Sequence, residues 1–326
     1  MRRVWKIGLA GASVLTAFVF ANNTSGVSPG RERLPALLVH RGMAQRFDLT
    51  QSELDSCAVA RMIRPHHEYL ENTITSMQAA FDRGADVVEF DIQRTREERF
   101  AVFHDRRLDC RTERTGLTRE FTLAELKTVD IGYGYTADGG ITFPFRGKGV
   151  GLMPSLEEVF ETFPTRSFLI DIKGTDPRDG ELLAEHLRKM SPLQQSHLTV
   201  FVRDSTLRGF RSKLPDIPSF SAQSIQGCLV RYIAYGWTGA IPSACEKSVL
   251  FVPINVAPWL WGWPYRFMNR MESKGSMIVL MGPLGGYDFP AGLDTADQLA
   301  QIPADYDGGI WTNNVELAAS AMKKGF

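Results

Sequence analysis

Ala36-Leu37-Leu38-Val39-His40-Arg41-Gly42 opens on four apolar residues and continues into two ionisable ones. The apolar part is too short for a helix and reads as a buried strand that stops at His40. The same pattern recurs down the chain. Asp86-Val87-Val88 runs into Glu89-Phe90-Asp91, Phe100-Ala101-Val102-Phe103 into His104-Asp105, and Phe168-Leu169-Ile170 into Asp171-Ile172-Lys173. Ionisable residues at strand ends are how an α/β barrel builds a site, because those ends converge on one face.

Working outward, strand-like runs alternate with helical patterns from Pro35 onward, the signature of a parallel sheet. The candidate strands are Leu37–His40, Val87–Asp91, Phe168–Lys173, Leu198–Val202, Ser219–Ala222, Leu250–Ile254, Met277–Met281 and Gly309–Thr312. They number eight, as a (β/α)8 TIM barrel requires. Amphipathic stretches at Thr73–Arg83, Leu156–Phe163, Glu181–Lys189 and Val315–Met322 supply helices between them. Phe100–Phe103 would be a ninth strand. Only about eight residues separate it from Asp91, too few for a parallel crossover, so it returns antiparallel as a hairpin arm. A turn centred on Glu97-Glu98 places His104 opposite Asp91. Residues 106–151 form a long insertion rich in glycine and aromatics, expected to cover one side of the barrel mouth. The barrel domain is thus expected over residues 35–326.

Lys+Arg and Asp+Glu number 37 each, and no block of like charge stands out, so nucleic acid is not an expected partner. Arg2, Arg3 and Lys6 precede an uncharged apolar run from Ile7 to Ala21 that ends in small residues. The run is shorter than the roughly 20 apolar residues of a spanning helix. Residues 1–21 read as a signal peptide and 22–34 as a linker, with an uncleaved membrane anchor as the alternative. Export to a periplasmic or secreted location makes disulfides of the four cysteines, Cys57, Cys110, Cys228 and Cys245; free buried thiols are the other reading. Sequence alone permits three pairings. Proximity favours Cys57–Cys110, both in loops above one rim, and Cys228–Cys245, which flank one amphipathic stretch.

Glu89 and Asp91 are two apart on a strand and point to the same face. Two adjacent carboxylates repel unless a cation sits between them, and Asp171 on the next strand can complete an all-oxygen site. Such a donor set, with no cysteine, favours Mg²⁺ or Ca²⁺ over zinc. His40 and His104 suit a general base and a general acid, since imidazole titrates near neutrality. Arg41 and Lys173 place positive charge where a phosphate would sit. Asn72 reads as a helix N-cap, Glu71 faces the mouth in support of the site, and His66 and His67 read as surface residues. Trp259, Trp261 and Trp263 follow a strand end and so are expected at the mouth. There they either cap the core or contact an acyl chain or a membrane interface. Trp311 is expected to line the pocket floor.

His40-Arg41-Gly42, Glu71-Asn72-Thr73, Val88-Glu89-Phe90-Asp91, Phe103-His104-Asp105, Pro154-Ser-Leu-Glu-Glu158 and Ile170-Asp171-Ile172-Lys173 together resemble the glycerophosphodiester phosphodiesterase family in order and spacing. The resemblance runs from about residue 36 to 320. It implies a barrel with a bound divalent cation, catalytic histidines at His40 and His104, and metal ligands at Glu89 and Asp91. Two departures stand out. Asp171 replaces the family's usual glutamate, and Gly309-Ile-Trp-Thr-Asn-Asn314 replaces the common Gly-Ile-Ile-Thr-Asp. The activity implied is metal-dependent hydrolysis of a small-molecule glycerophosphodiester to sn-glycerol 3-phosphate and an alcohol. A lysophospholipase D on the same scaffold is the nearer alternative, and a non-catalytic phosphodiester-binding protein the more distant one.

Overall fold

The computed structural model describes residues 2–25, 34–48, 57–285 and 291–324. Its elements are α1 (Arg2–Asn23), β1 (Ala36–Val39), α2 (Ile74–Asp82), β2 (Val87–Arg94), β3 (Phe100–Val102), α3 (Leu123–Leu126), α4 (Leu156–Thr162), β4 (Ser167–Ile172), α5 (Pro177–Leu187), α6 (Pro192–Gln195), β5 (Leu198–Phe201), α7 (Asp204–Lys213), β6 (Ser219–Phe220), α8 (Ala222–Tyr235), β7 (Val249–Pro253), α9 (Tyr265–Glu272), β8 (Met277–Met281), α10 (Ala296–Leu299), β9 (Gly309–Thr312) and α11 (Val315–Lys324).

Eight strands run parallel in the order β6-β5-β4-β2-β1-β9-β8-β7, and β3 pairs antiparallel with β2. This is a nearly closed TIM barrel with helices between the strands. Phe220 of β6 and Phe251 of β7 stack with centroids 5.5 Å apart, joining the two ends of the sheet. Every expected strand is present, and Met277–Met281 and Gly309–Thr312 agree residue for residue. Side chains alternate along β2. Phe90 faces the helices, its ring 5.3 Å from that of Phe168 and 6.4 Å from that of Phe160, while Glu89 and Asp91 face the barrel axis.

Helices begin where the sequence supplies caps. Thr73 accepts from the Ser76 N–H and donates its own N–H to Ser76 Oγ, starting α2. The residue expected as cap, Asn72, therefore lies just outside the helix. Asp176 caps α5 with Pro177 in its first turn, which starts that helix four residues before the expected Glu181.

The hairpin arm is present with its register one residue from expectation. Val102 pairs with Ile92, and the Phe103 N–H donates to Asp91 O, so Phe103, not His104, opposes Asp91. The cause is the turn. Glu98 adopts a left-handed φ of 60°, making a three-residue loop in place of the symmetrical turn centred on Glu97-Glu98.

Within the expected insertion 106–151, Leu108, Leu123, Leu126, Val129, Ile131, Tyr135 and Phe145 build a second core with Val59, Met62 and Phe103. Its glycine-rich return wraps Asp130, whose carboxylate accepts from the N–H groups of Gly132 and Gly149. A Cβ on Gly149 would sit 2.4 Å from Gly132 N. Both expected disulfides are formed, Cys57–Cys110 and Cys228–Cys245.

The tryptophan segment corrects an expectation. Trp261 Nε1 donates to Ile233 O in the last turn of α8, and Trp263 packs on Phe267 and Tyr306. Because α8 runs away from the mouth, this segment descends the barrel flank; α9 is only eight residues long, so loop takes the place of its first turns. Trp259 alone is well exposed, at 75%. Helix α1 covers the stretch expected as a leader, and its end meets the same flank: Asn23 donates to Trp237 O and Arg270 to Asn22 O. Of the expected linker 22–34, residues 26–33 lie outside the described residues. Among the described residues no helix is long and apolar enough to cross a membrane.

Candidate active site

After β1 the chain turns through two left-handed residues, Arg41 (φ 56°) and Gly42 (φ 73°). A Cβ on Gly42 would lie 2.8 Å from Ser76 C, so α2 packs on this turn because residue 42 is glycine. The turn aims the Arg41 N–H at Glu89 Oε2, 3.0 Å away. It also brings the Arg41 side chain over β2, with Nε 2.9 Å from Asp91 Oδ2. Register sets the third carboxylate, because Asp91 on β2 pairs directly with Asp171 on β4. Glu89, Asp91 and Asp171 are all buried, and one oxygen of each lies within 4.8 Å of the others.

Lys173, beyond the end of β4, folds back onto this cluster. Its Nζ lies 2.8 Å from Asp91 Oδ1 and 2.5 Å from Asp171 Oδ2. Burial alone would raise the pKa of Asp91, but Arg41 and Lys173 hold it well below the ordinary carboxylate value. Glu89 is pushed well above its ordinary value by burial and by the charge of Asp91. Asp171 is raised by burial. Three carboxylates against the cations of Arg41 and Lys173 leave the cluster one positive charge short when all three are ionised. Asp91 Oδ1, moreover, is buried without a well-aligned hydrogen bond. An all-oxygen set of this kind fits a hard divalent cation such as Mg²⁺ or Ca²⁺.

Each of two imidazoles beside the cluster has its Nδ1 pinned. His40 Nδ1 lies 2.7 Å from Asn313 Oδ1, and Asn313 Nδ2 donates to Asp294 Oδ2 at 2.8 Å. That second bond fixes the amide orientation, so His40 Nδ1 carries the proton and Nε2, 3.9 Å from Glu89 Oε2, keeps its lone pair. His104 Nδ1 lies 2.5 Å from Asp105 Oδ1. Burial and then Arg41 lower the pKa of His40 well below its ordinary value. Burial, Arg41 and Lys173 lower that of His104 to about 4, although a third of its side chain reaches the mouth. The arrangement can exchange protons at two Nε2 atoms beside a buried carboxylate cluster.

All the expected site residues converge here. Glu71 is buried and accepts from Arg111, with Arg41 Nη1 at 3.8 Å. Trp311 lies beside His40, ring centroids 5.1 Å apart, at one end of a run of rings through Phe251, Phe220 and Phe201. His66 is exposed, whereas His67 is half-buried with Nδ1 2.8 Å from Gln45 Nε2, so only the first is a plain surface residue.

Six further residues build the site: Asp105, Asn72, Arg111 and Tyr135, together with Asn313 and Asp294, which hold His40. Asp105 follows His104 directly in the chain, an adjacency that is itself a signal of its support for the imidazole. Asn72, read as a cap, grips Asp91. Arg111 and Tyr135 come from the insertion, where no local pattern marks them.

Residues 40–213 match the model of the glycerophosphoryl diester phosphodiesterase family. A glycerophosphodiester phosphodiesterase of Caldanaerobacter subterraneus is 35% identical over 103 residues, 32% of this chain and 39% of that protein. A lysophospholipase D of Mus musculus is 26% identical over 227 residues, 66% of this chain and 64% of that protein. Among the first four relatives, the chain spans between 39% and 58% of their length. The phosphodiesterase of Oleispira antarctica, solved with its product sn-glycerol-3-phosphate, shares the fold with a TM-score of 0.55, at 16% identity over 89% of this chain and 99% of that one. With more than half of its length matched by the family model and this fold around its carboxylates, the chain belongs to the glycerophosphoryl diester phosphodiesterase family.

Proposed function

We propose that the protein hydrolyses glycerophosphodiesters to sn-glycerol 3-phosphate and an alcohol. The observation that carries this reading is the pair of imidazoles, each with Nδ1 held by a fixed acceptor, beside a buried triad of carboxylates. Glu89, Asp91 and Asp171 would hold a divalent cation, Mg²⁺ or Ca²⁺, whose charge would offset that of the non-bridging phosphate oxygens. Arg41 and Lys173 add positive charge at the same oxygens.

The partners of the histidines separate their roles. His40 leans on a neutral amide, which gives little support to an imidazolium and suits a base. His104 leans on a carboxylate, which stabilises the imidazolium and suits an acid. Burial beside Arg41 and Lys173 lowers the pKa of His104, and an anionic substrate beside it would raise it again. In the first step the glycerol 2-hydroxyl gives its proton to His40 Nε2 and attacks phosphorus. The bond to the alcohol breaks, and His104 gives that oxygen a proton. In the second step water loses a proton to His104 and attacks phosphorus, opening the ring. His40 then returns its proton to the 2-oxygen, and both residues regain their starting states.

Two disulfides further support an oxidising, exported location. The reading is tested by treating purified protein with chelator, restoring Mg²⁺ or Ca²⁺, and assaying a phosphodiester panel for sn-glycerol 3-phosphate. Cation-dependent release from glycerophosphocholine is expected. No turnover of any phosphodiester with either ion would overturn it and leave a binding protein. Similarity to the lysophospholipases D of Mus musculus and Homo sapiens favours one alternative, a lysophospholipase D. A preference for lysophosphatidylcholine over glycerophosphocholine would select it.

A further inference from the structure

We infer that Arg111 is a positioning residue through which the insertion sets the geometry of the reacting groups. The inference rests on His104 taking part in turnover. Arg111 is 3% exposed, and its one guanidinium reaches three partners. Nε lies 2.9 Å from Asp105 Oδ2, while Nη1 donates to Glu71 Oε1 and, at 2.6 Å, to Tyr135 Oη. Asp105 uses its other oxygen on His104 Nδ1, and Glu71 lies beside Arg41. The rigid fork of one arginine therefore spans the support of His104 and the support of Arg41. A lysine, a point charge on a flexible stem, could neutralise one of these carboxylates but could not hold both in register.

The backbone beneath Arg111 is fixed independently. Cys110 is tied to Cys57 by a disulfide, and a Cβ on Gly134 would fall 2.0 Å from Cys110 O. The Gly134 N–H also donates to Arg111 O. None of these contacts reaches the carboxylate triad. Arg111 touches the Asp105 that holds His104, whereas Glu71 stands 3.8 Å from Arg41, which Asp91 also holds at 2.9 Å, so loss of Arg111 should alter proton delivery more than substrate binding.

The test compares Arg111→Gln and Arg111→Lys with His104→Ala on two substrates. Glycerophosphocholine has a leaving alcohol that needs a proton; a glycerophosphodiester of p-nitrophenol has one that does not. For Arg111→Gln we expect kcat on glycerophosphocholine to fall about 10–100-fold, the range of supporting residues that orient a site histidine. KM should stay within about threefold, and single-turnover release of p-nitrophenol, which precedes the step in which His104 acts as base, should fall by less than about threefold. Arg111→Lys should fall between wild type and Arg111→Gln, and it retains the charge if the glutamine variant fails to fold. The inference stands if the Arg111 variants give a weakened copy of the His104→Ala profile, and it falls if they differ from that profile in kind. Equal losses in His104→Ala in single-turnover release of the alcohol from both substrates would instead overturn the acid role of His104, leaving the Arg111 comparison still decisive.

Discussion

Asn72 grips Asp91 with both ends of its side-chain amide. Nδ2 donates to Asp91 Oδ2 at 2.7 Å, and Oδ1 accepts the Asp91 N–H at 3.0 Å. To do so Asn72 adopts a left-handed φ of 61°, and its own N–H donates to Arg41 O. One residue thus couples the Arg41 turn to the central carboxylate. Two left-handed non-glycine residues at one site, each costing about 1–3 kcal/mol, persist only because their surroundings hold them there.

Asn72→Ala should lose both bonds and keep the strained backbone, destabilising by about 3 kcal/mol in denaturant melts. Asn72→Gly removes the strain yet still frees Asp91. It should therefore recover part of the stability while Mg²⁺ affinity stays about 10–100-fold weak, as expected of a lost ligand support. Wild-type metal affinity and turnover in the glycine variant would show the grip to be dispensable.

Much of this architecture was legible because burial on both faces forces parallel strands into apolar runs, and the site residues stand where those runs stop. Local geometry was less so. The hairpin register slipped by one residue because nothing in Thr95-Arg-Glu-Glu-Arg99 announces that Glu98 turns left-handed. Asn72 passed for a cap because asparagine caps helices well, but Thr73 follows it and completes a capping box with Ser76, freeing Asn72 for Asp91. Arg111 was invisible for another reason: its partner Glu71 lies 40 residues away, and a long-range ion pair leaves no local periodicity. The tryptophans misled because a strand end marks the mouth only until the chain turns down the flank.

Asp171 stands where the family pattern has glutamate, and Lys173 Nζ lies 2.5 Å from its Oδ2. Asp171→Asn should weaken divalent-ion affinity more than it weakens folding, whereas Asp171→Glu should keep binding and change the ratio of Mg²⁺ to Ca²⁺ activity. Isothermal titration and a melt on the same samples check this. A chelated preparation, free of metal by elemental analysis, that retains full activity would contradict the ligand set.

Acid should act on the seam between α4 and α5. Glu157 Oε1 lies 3.1 Å from His186 Nδ1, and Oε2 accepts from Arg99 at 3.2 Å. Burial would raise this carboxyl, but the contacts with His186 and Arg99 outweigh it and lower its pKa from 4.5 to about 2. A depressed folded pKa contributes stability that is complete above the unfolded value and lost as pH falls through the folded one. Glu157→Gln should therefore be less stable than wild type at pH 7, with the gap closing between about pH 4.5 and pH 2. Parallel stability curves over that range would refute the assignment.

The disulfides set a final expectation. Cys57–Cys110 closes a separation of 53 residues and fastens the insertion beside Arg111, whereas Cys228–Cys245 closes 17 residues between α8 and the start of β7. In the chain-entropy model both contribute, at about 3 kcal/mol for a loop near fifteen residues and about 4 kcal/mol for one near fifty. Each paired variant, Cys57→Ser/Cys110→Ser and Cys228→Ser/Cys245→Ser, should melt below wild type, and reduction of its remaining bridge should lower the melting temperature again. Only the first pair should also slow turnover, because only it holds the backbone next to the guanidinium behind His104. Free-thiol titration of the unreduced, denatured protein decides the premise: no reactive thiol is expected, and four would refute both bridges and remove the main support for an oxidising location.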